Sequence, residues 1–405
     1  MTPGAEFSET QARRTLLVSL VSVGMGFSVL FPLLAPLGRE MGLSEIQITS
    51  IIGLSALTNF LIAPFWGRRS DMWGRKRVIL TGLFGFTAGT VVFNLVLYAG
   101  LNGLLLGIPL YLTLITARLG HSALMSATMP AANAYMADIS PPETRTRAMG
   151  AAGAANNIGS ILGPAASALA VISLLTPLWV MAAVALINGL FVLRYLPEPP
   201  RQRSAVKPPR MRYTDPRILP FVVVGVLMFT GFALVQQTMG FRFQDALGLS
   251  ATETAGQFGL AMMLSAACSL AAQILIVQRL NPRPFTLLKS ALPLLVIAFT
   301  VMAIAESQLM LTLAMMVQGF GMGLAGPGFT AGASLAVSPD EQGAVAGVIS
   351  SCGPLGFALG PLIGGALYQI GPTLPYAIAA GVYLLLLLVT PLLGKRISSS
   401  SNNSG

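Results

Sequence analysis

The chain has 405 residues, 54% of them hydrophobic and only 9% charged. Soluble domains carry about 25% charged residues, so this composition excludes a soluble globular protein and fits a membrane protein with many spans. The net charge of +10 does not mark a nucleic-acid partner, because the cations cluster at the ends of apolar segments and form no single face.

Twelve apolar segments are expected to cross the bilayer as α-helices, at 15–37, 47–66, 78–98, 103–137, 148–170, 174–196, 218–241, 252–277, 285–305, 308–336, 343–368 and 374–394. About 20 residues suffice for a hydrocarbon core of ~30 Å. The fourth and tenth segments exceed that length and must tilt or extend beyond it. Dividing the fourth at Pro109 or Pro130 into two spans would reverse everything after it. With the N-terminus inside, every one of the 24 cations except Arg39, Arg118 and Arg242 falls at the inner face, as the positive-inside rule requires. Both termini are therefore expected in the cytoplasm. No short apolar core with a small-residue cleavage site precedes the first span, which is expected to act as its own insertion signal.

The chain is expected to divide into a six-helix bundle over 1–196, an inside linker over 197–217, a second bundle over 218–396 and a disordered tail over 397–405. The halves repeat each other. Gly150, Gly159, Gly163 and Pro164 match Gly347, Gly356, Gly360 and Pro361 at one constant offset of 197. Ser140-Pro141-Pro142-Glu143 is echoed by Ser338-Pro339-Asp340-Glu341.

In chain order, the first span carries Phe31-Pro32-Leu33-Leu34-Ala35-Pro36, which kinks a helix. The second and third spans are joined by Gly67-Arg68-Arg69-Ser70-Asp71-Met72-Trp73-Gly74-Arg75-Lys76-Arg77. Its glycines permit a sharp reversal, and its cations face anionic membrane lipids. Asp71, one carboxylate among five cations, needs a partner such as Arg75 or Arg77. The fourth span holds Arg118 and His121, which share a helix face at i and i+3. A charge within a span marks a functional site by default, and imidazole titrates near neutral pH. The fifth span reads Gly150-x-x-Gly153, then Gly159-x-x-x-Gly163-Pro164, small residues that let helix backbones approach closely.

Amides are spread through the cavity-forming helices: Asn156 and Asn157 in the fifth, Gln236 and Gln237 in the seventh, Gln257 in the eighth and Gln318 in the tenth. Methionines such as Met125 accompany them. Adaptable hydrogen bonds and soft walls suit a small, partly apolar organic solute. All fourteen carboxylates lie at or beyond a span end. Asp138, at the inner end of the fourth span, and Glu253, at the start of the eighth, are the remaining acid candidates. Cys268 and Cys352 lie in apolar stretches and read as packing residues. No metal or cofactor pattern, nucleophile elbow or phosphate-cradling loop is present, so no enzyme is expected.

The charged turn resembles the G-x-x-x-D-x-x-G-R-[KR] loop of major facilitator superfamily transporters, filled here by Gly67, Asp71, Gly74, Arg75 and Lys76. The fifth span resembles the antiporter motif of twelve-span drug:proton exchangers. Ser167-Ala168 stand where the family's usual glycine pair follows the proline, and Gly364-Gly365 keep it in the second half. Arg118 matches the first position of the family's R-x-x-x-G, with Ser122 in place of the glycine. The resemblance implies two pseudo-symmetric six-helix bundles with the substrate between them. It also implies export by proton antiport across a bacterial inner membrane, with no cofactor and a monomeric chain. Arg118, His121, Asp138 and Glu253 are its proton-coupling candidates. Asp71 would meet the start of the eleventh helix near Gly343–Val345 and act as an inside latch. Gly159, Gly163, Pro164, Gly360 and Pro361 would form the moving joints. Two alternatives stand beside this reading. One is a metabolite or siderophore carrier, importer or uniporter, that binds an anionic substrate through Arg118. The other is a non-transporting membrane sensor or scaffold.

Overall fold

A segment inside lipid must satisfy its own backbone hydrogen bonds. The computed structural model, which describes residues 9–141, 144–199, 211–280, 282–338 and 341–402, meets this with helices throughout and no strand among those residues. Residues 200–210 of the expected linker and 403–405 of the expected tail lie outside the described residues. The helices of the first part of the chain are α1 (Glu9–Ser28), α2 (Leu30–Glu40), α3 (Glu45–Trp73), α4 (Arg75–Leu101), α5 (Gly107–Met125), α6 (Thr128–Asp138), α7 (Arg145–Leu162) and α8 (Thr176–Tyr195). They are followed by α9 (Leu219–Leu247), α10 (Ala251–Ala272), α11 (Pro284–Ile304), α12 (Gln308–Ser334), α13 (Gln342–Ser350), α14 (Cys352–Ile370) and α15 (Leu374–Asn402). A 3-10 turn over Pro164–Val171 extends α7, and a π turn over Gln273–Gln278 extends α10.

Three breaks between helices are bends within single rods. Val29, Ala127 and Ser351 keep right-handed helical torsions (φ/ψ −59/−28°, −68/−31° and −78/−18°). Each break precedes a proline, Pro32, Pro130 or Pro354, whose missing N–H leaves the carbonyl four residues earlier without its helical donor. The fourth expected span is therefore one rod bent at 126–127, and it divides at neither Pro109 nor Pro130. α15 runs through Arg396 to Asn402, since its serines offer no breaker, so helix occupies most of the expected tail.

Nine helices among the described residues are long and apolar enough to cross a membrane. The other expected spans, 103–137, 148–170 and 374–394, fall outside that set. The first carries Arg118 and His121, and the second carries Asn156 and Asn157 and passes into a 3-10 turn. The apolar part of the last, Leu374–Thr390, is shorter.

The chain packs as two units, Met1–Gly42 with Thr58–Ser204, and Leu43–Leu57 with Ala205–Gly405. In the first, α7 lies directly on α1. A Cβ at Gly159 would strike the Val21 carbonyl, and one at Gly163 would strike Ser28 and the Met25 carbonyl. In the second, α14 lies on α9 in the same way. Gly356 faces Phe229 and Thr230, and Gly360 faces Ala233 and Leu234. The repeated glycines thus do the same work twice: they bring two helix backbones together where no side chain fits. The matched pair nearer the helix starts, Gly150 and Gly347, is bare, and so are Gly153 and Gly343, which have no counterpart at that offset. Nothing lies within 4 Å of a Cβ built at Gly150, Gly153, Gly343 or Gly347.

Polar clips reinforce the apolar cores. In the first unit, Ser19 donates to the Asn188 carbonyl oxygen at 2.8 Å, and the Asn188 amide donates to Ser22 at 2.5 Å. In the second, the Tyr383 hydroxyl donates to the Met228 carbonyl at 2.6 Å. Arg242 is buried at the end of α11, where it donates to the carbonyls of Met302, Ala303 and Ala305 at 3.3, 3.1 and 2.8 Å. A cation there complements the helix C-terminus, which accounts for its exception to the charge rule.

Adding a methyl to a filled joint forces backbones apart, so Gly159→Ala and Gly360→Ala are each expected to cost on the order of 1–3 kcal/mol. Gly150→Ala should leave stability unchanged. Thermal unfolding of the purified variants in one detergent checks this, and equal midpoints for Gly150→Ala and Gly159→Ala would contradict it.

Candidate functional site

The charged turn is tighter than expected. α3 runs through Gly67 and Asp71 to Trp73, and Gly74 alone separates it from α4. Gly74 has φ +100°, a torsion that glycine adopts at no steric cost. A side chain there would also collide with Glu198, whose carboxylate lies 2.8–3.0 Å from an added Cβ. Glu198 accepts the Arg75 and Lys76 backbone N–H groups at 2.6 and 3.2 Å. A carboxylate at a helix N-terminus answers both the unpaired N–H groups and the helix dipole.

The Arg75 side chain joins two acids. It sits 2.5 Å from Asp71 and 2.9 Å from Asp138, and it also donates to Ser70 at 2.6 Å. Burial opposes its charge, but Asp138 and Asp71 outweigh that and hold its pKa above the ordinary arginine value. Lys76 donates to the Leu193 carbonyl at 2.8 Å, and Tyr135 donates to the Pro197 carbonyl at 2.6 Å. The start of α4, the ends of α6 and α8 and residues 197–198 thus form one polar cluster. Arg69 lies between the rings of Phe65 and Trp73, 5.1 and 4.7 Å from their centroids, the arrangement of an interfacial anchor.

A second polar group lies deeper in the first unit. Arg118 Nη1 meets His121 Nδ1 at 2.5 Å on α5, and both side chains are buried. The Phe93 ring lies under the guanidinium at 5.6 Å, and the Phe86 ring meets the imidazole edge-on at 5.0 Å. No carboxylate pairs with Arg118 among the described residues. Gly89 makes room for the pair, since a Cβ there would fall 2.7 Å from His121. A cavity of about 10 Å³ opens beside the pair, lined by Gly26, Phe86, Thr90, Phe93 and apolar neighbours. That space suits one water, not an organic solute.

The remaining expected residues are scattered. Asp138 belongs to the Arg75 cluster, and some twenty residues of helix, about 30 Å, separate it from Arg118. Glu253 is exposed at the start of α10, where it forms a capping box with Ser250. Met125 is packed in the first unit's core with Leu83, Phe86 and Tyr135. Asn156 is half-buried and Asn157 exposed on α7. In the second unit, Gln237 and Gln318 are buried, and Gln236 and Gln257 are half-buried. Gln237 Nε2, Gln257 Oε1 and Gln318 Nε2 are shielded from solvent without a partner, which is costly unless something completes them.

Sequence reasoning missed Glu198, Thr90 and Asn188. An acid framed by Pro197 and Pro199 at a bundle exit was the available signal for Glu198. Thr90 and Asn188 carry none, because a single hydroxyl or amide in an apolar helix is commonplace.

The chain matches the family model described as Major Facilitator Superfamily over residues 16–298 and 277–404. It is 25% identical to Multidrug resistance protein 2 of Bacillus subtilis over 388 residues, covering 91% of this chain and 92% of that protein. It is 22% identical to the quinolone resistance protein NorA of Staphylococcus aureus, covering 91% and 93%. The solved structure of the human organic anion transporter MFSD10 (TETRAN) superposes with a TM-score of 0.65 at 21% identity, over 95% of this chain and 99% of that one. The chain belongs to the major facilitator superfamily. It is a multi-pass membrane transporter and not an enzyme.

A further cluster sits where the linker enters α9. Arg217 bonds Asp215 at 2.9 Å and Glu341 at 2.8 Å, and Glu341 also accepts from Ser338 at 3.0 Å. Arg217's hydrogen bonds hold both carboxyl groups below the usual carboxylate range. A lowered folded pKa adds order that is complete above the ordinary value near 4 and is lost as pH falls through the lowered one. A spin label at Tyr213→Cys should therefore gain mobility as pH falls below the ordinary carboxylate value near 4, and a flat titration would count against the clasp.

Proposed function

We propose that the chain exports a small, partly apolar organic compound from the cytoplasm in exchange for protons. Its halves, 1–196 and 218–396, alternate in opening to the two membrane faces about the substrate. The observation that carries this reading is the unequal covering of the repeated glycines. Gly159 and Gly163 are packed and Gly150 is bare, and the second half repeats the contrast with Gly356 and Gly360 against Gly347. A small-residue face left open in each half is a surface for a partner helix to cover in the other state. Asp71, with Arg75 and Lys76, controls that closure at the inner face. Relatives named for multidrug and quinolone resistance support the direction and the solute class.

The exported compound meets Asn156, Asn157, Gln236, Gln237, Gln257 and Gln318, whose amides accept varied hydrogen-bonding partners. His121 carries the exchanged proton and Arg118 sets its affinity, because every carboxylate of the sequence lies at or beyond a span end. Asp138 stays with the Arg75 cluster and Glu253 with its helix cap. The protein works as a monomer in a bacterial inner membrane, with both termini in the cytoplasm.

Reconstituted liposomes test the reading. An acidic lumen should drive accumulation of a lipophilic fluorescent cation, and a protonophore should abolish it. His121→Ala should lower gradient-driven flux at least about tenfold, within the range of a lost proton-transfer group, while substrate exchange without a gradient continues. Flux indifferent to the gradient would defeat antiport. Absence of any saturable flux, over a panel of organic cations, anions and neutral solutes, would leave the sensor or scaffold reading in its place.

A further inference from the structure

The last turns of α3 carry a face that the first unit leaves uncovered. Leu61, Phe65, Arg68, Met72 and Trp73 are exposed there. Leu61, Phe65, Arg69 and Trp73 follow one another at four-residue steps and so form one line along the helix.

Arg69 is fixed within that line. Its guanidinium lies over the Phe65 and Trp73 rings, 5.1 and 4.7 Å from their centroids. Both rings meet Trp66 edge-to-face, with centroids at 5.4 and 6.5 Å. Trp66 is buried, and its indole N–H donates to the Ala123 carbonyl at 2.7 Å. The clamp is thus built into the fold before any ligand arrives. A lone arginine near a membrane surface extends toward water. Here Trp73 lies one turn nearer the helix end, and a helical side chain leans back over the preceding turn. Rings on two sides leave the guanidinium its N–H edge, which only donates. No carboxylate pairs with Arg69 among the described residues. Asp71 projects from another side of α3, about 200° around the helix from Arg69, and is taken by Arg75.

We propose that this face of α3 holds one anionic phospholipid. Its phosphodiester sits on Arg69 beside the charge of Arg68, and an acyl chain follows Phe65 and Leu61 toward the middle of the helix. A free phosphate ion has no use for the apolar line, and a zwitterionic lipid brings its own cation to two arginines. The general attraction of cations to anionic lipid needs no aromatic clamp, whereas one oriented headgroup does. Because Asp71 lies on another side, the lipid does not occupy the proposed latch.

Tryptophan fluorescence of the full chain in liposomes provides the test. The sequence has three tryptophans. Trp179→Phe removes the one on α8 and leaves Trp73 as the exposed reporter. Brominated phosphatidylglycerol should quench it with about fivefold higher affinity than brominated phosphatidylcholine, the factor that one basic residue supplies. Arg69→Gln should remove that preference. Arg279→Gln, at an exposed arginine of the second unit, should leave it intact. If Arg69→Gln does not fold, native mass spectrometry of the unaltered chain decides the matter by retaining one phosphatidylglycerol or none. Equal quenching by the two lipids would overturn the proposal, as would a preference weakened equally by Arg279→Gln. Displacement by glycerol 3-phosphate would assign the site to a free phosphate instead. Absence of quenching by either lipid would mean that protein covers the face, and would overturn it too.

Discussion

Backbone meeting backbone is the contact on which this architecture rests. Within lipid there is no hydrophobic force to press helices together, and close packing must supply the attraction instead. Gly159 and Gly163 give α7 that contact with α1, and Gly356 and Gly360 give it to α14 with α9. A single methyl at any of the four would overlap a neighbouring backbone or side chain. These pairs are also where a helix changes character along its length. One part is locked by glycine against its neighbour, and the other presents the same small residues to nothing. A rigid anchor beside an uncovered face suits an element that must be covered in one state and exposed in another.

The second organising constraint is charge. The described arginines are satisfied in physically different ways, each set by depth and surroundings. Arg75, at the start of α4, takes two carboxylates and a hydroxyl. Arg242 takes three carbonyls at the end of α11. Arg69 lies between two aromatic rings. Arg118 has only an imidazole and a ring face, and it borders a small cavity. Arg75 and Arg242 each meet three acceptors, and Arg118 meets one nitrogen.

Much of the helical pattern was open to reading from the chain, because its causes are local. Apolar length sets where a helix can cross, and cations at segment ends set the expected orientation. The offset of 197 between glycine–proline motifs announced two related halves before any packing was known. The sites were harder. The charged turn was recognisable, yet Gly67 proved to lie within α3, and the reversal needs only Gly74. Asp138 resembled a free acid near the fourth span. It is one arm of the Arg75 cluster, because α5 and α6 run antiparallel along α4, Gly89 meeting His121 and Gly82 meeting Thr128, which brings the end of α6 to the start of α4. Met125 read as soft cavity wall and is core, since a helix period does not reveal which neighbour a face will meet.

Composition and spacing along the chain were enough to establish the solvent this protein lives in, the helices that solvent demands and the family they belong to. Those properties depend on composition, length and spacing, which survive in one dimension. Which groups complete one another emerged from the packing. Glu198 reaches the N-terminus of α4 across 123 residues of sequence, and Thr90 borders the cavity of Arg118 and His121 from another helix. Hydrogen bonds and Coulomb forces act over a few ångströms, so the partners of a charge are fixed by packing and not by order along the chain.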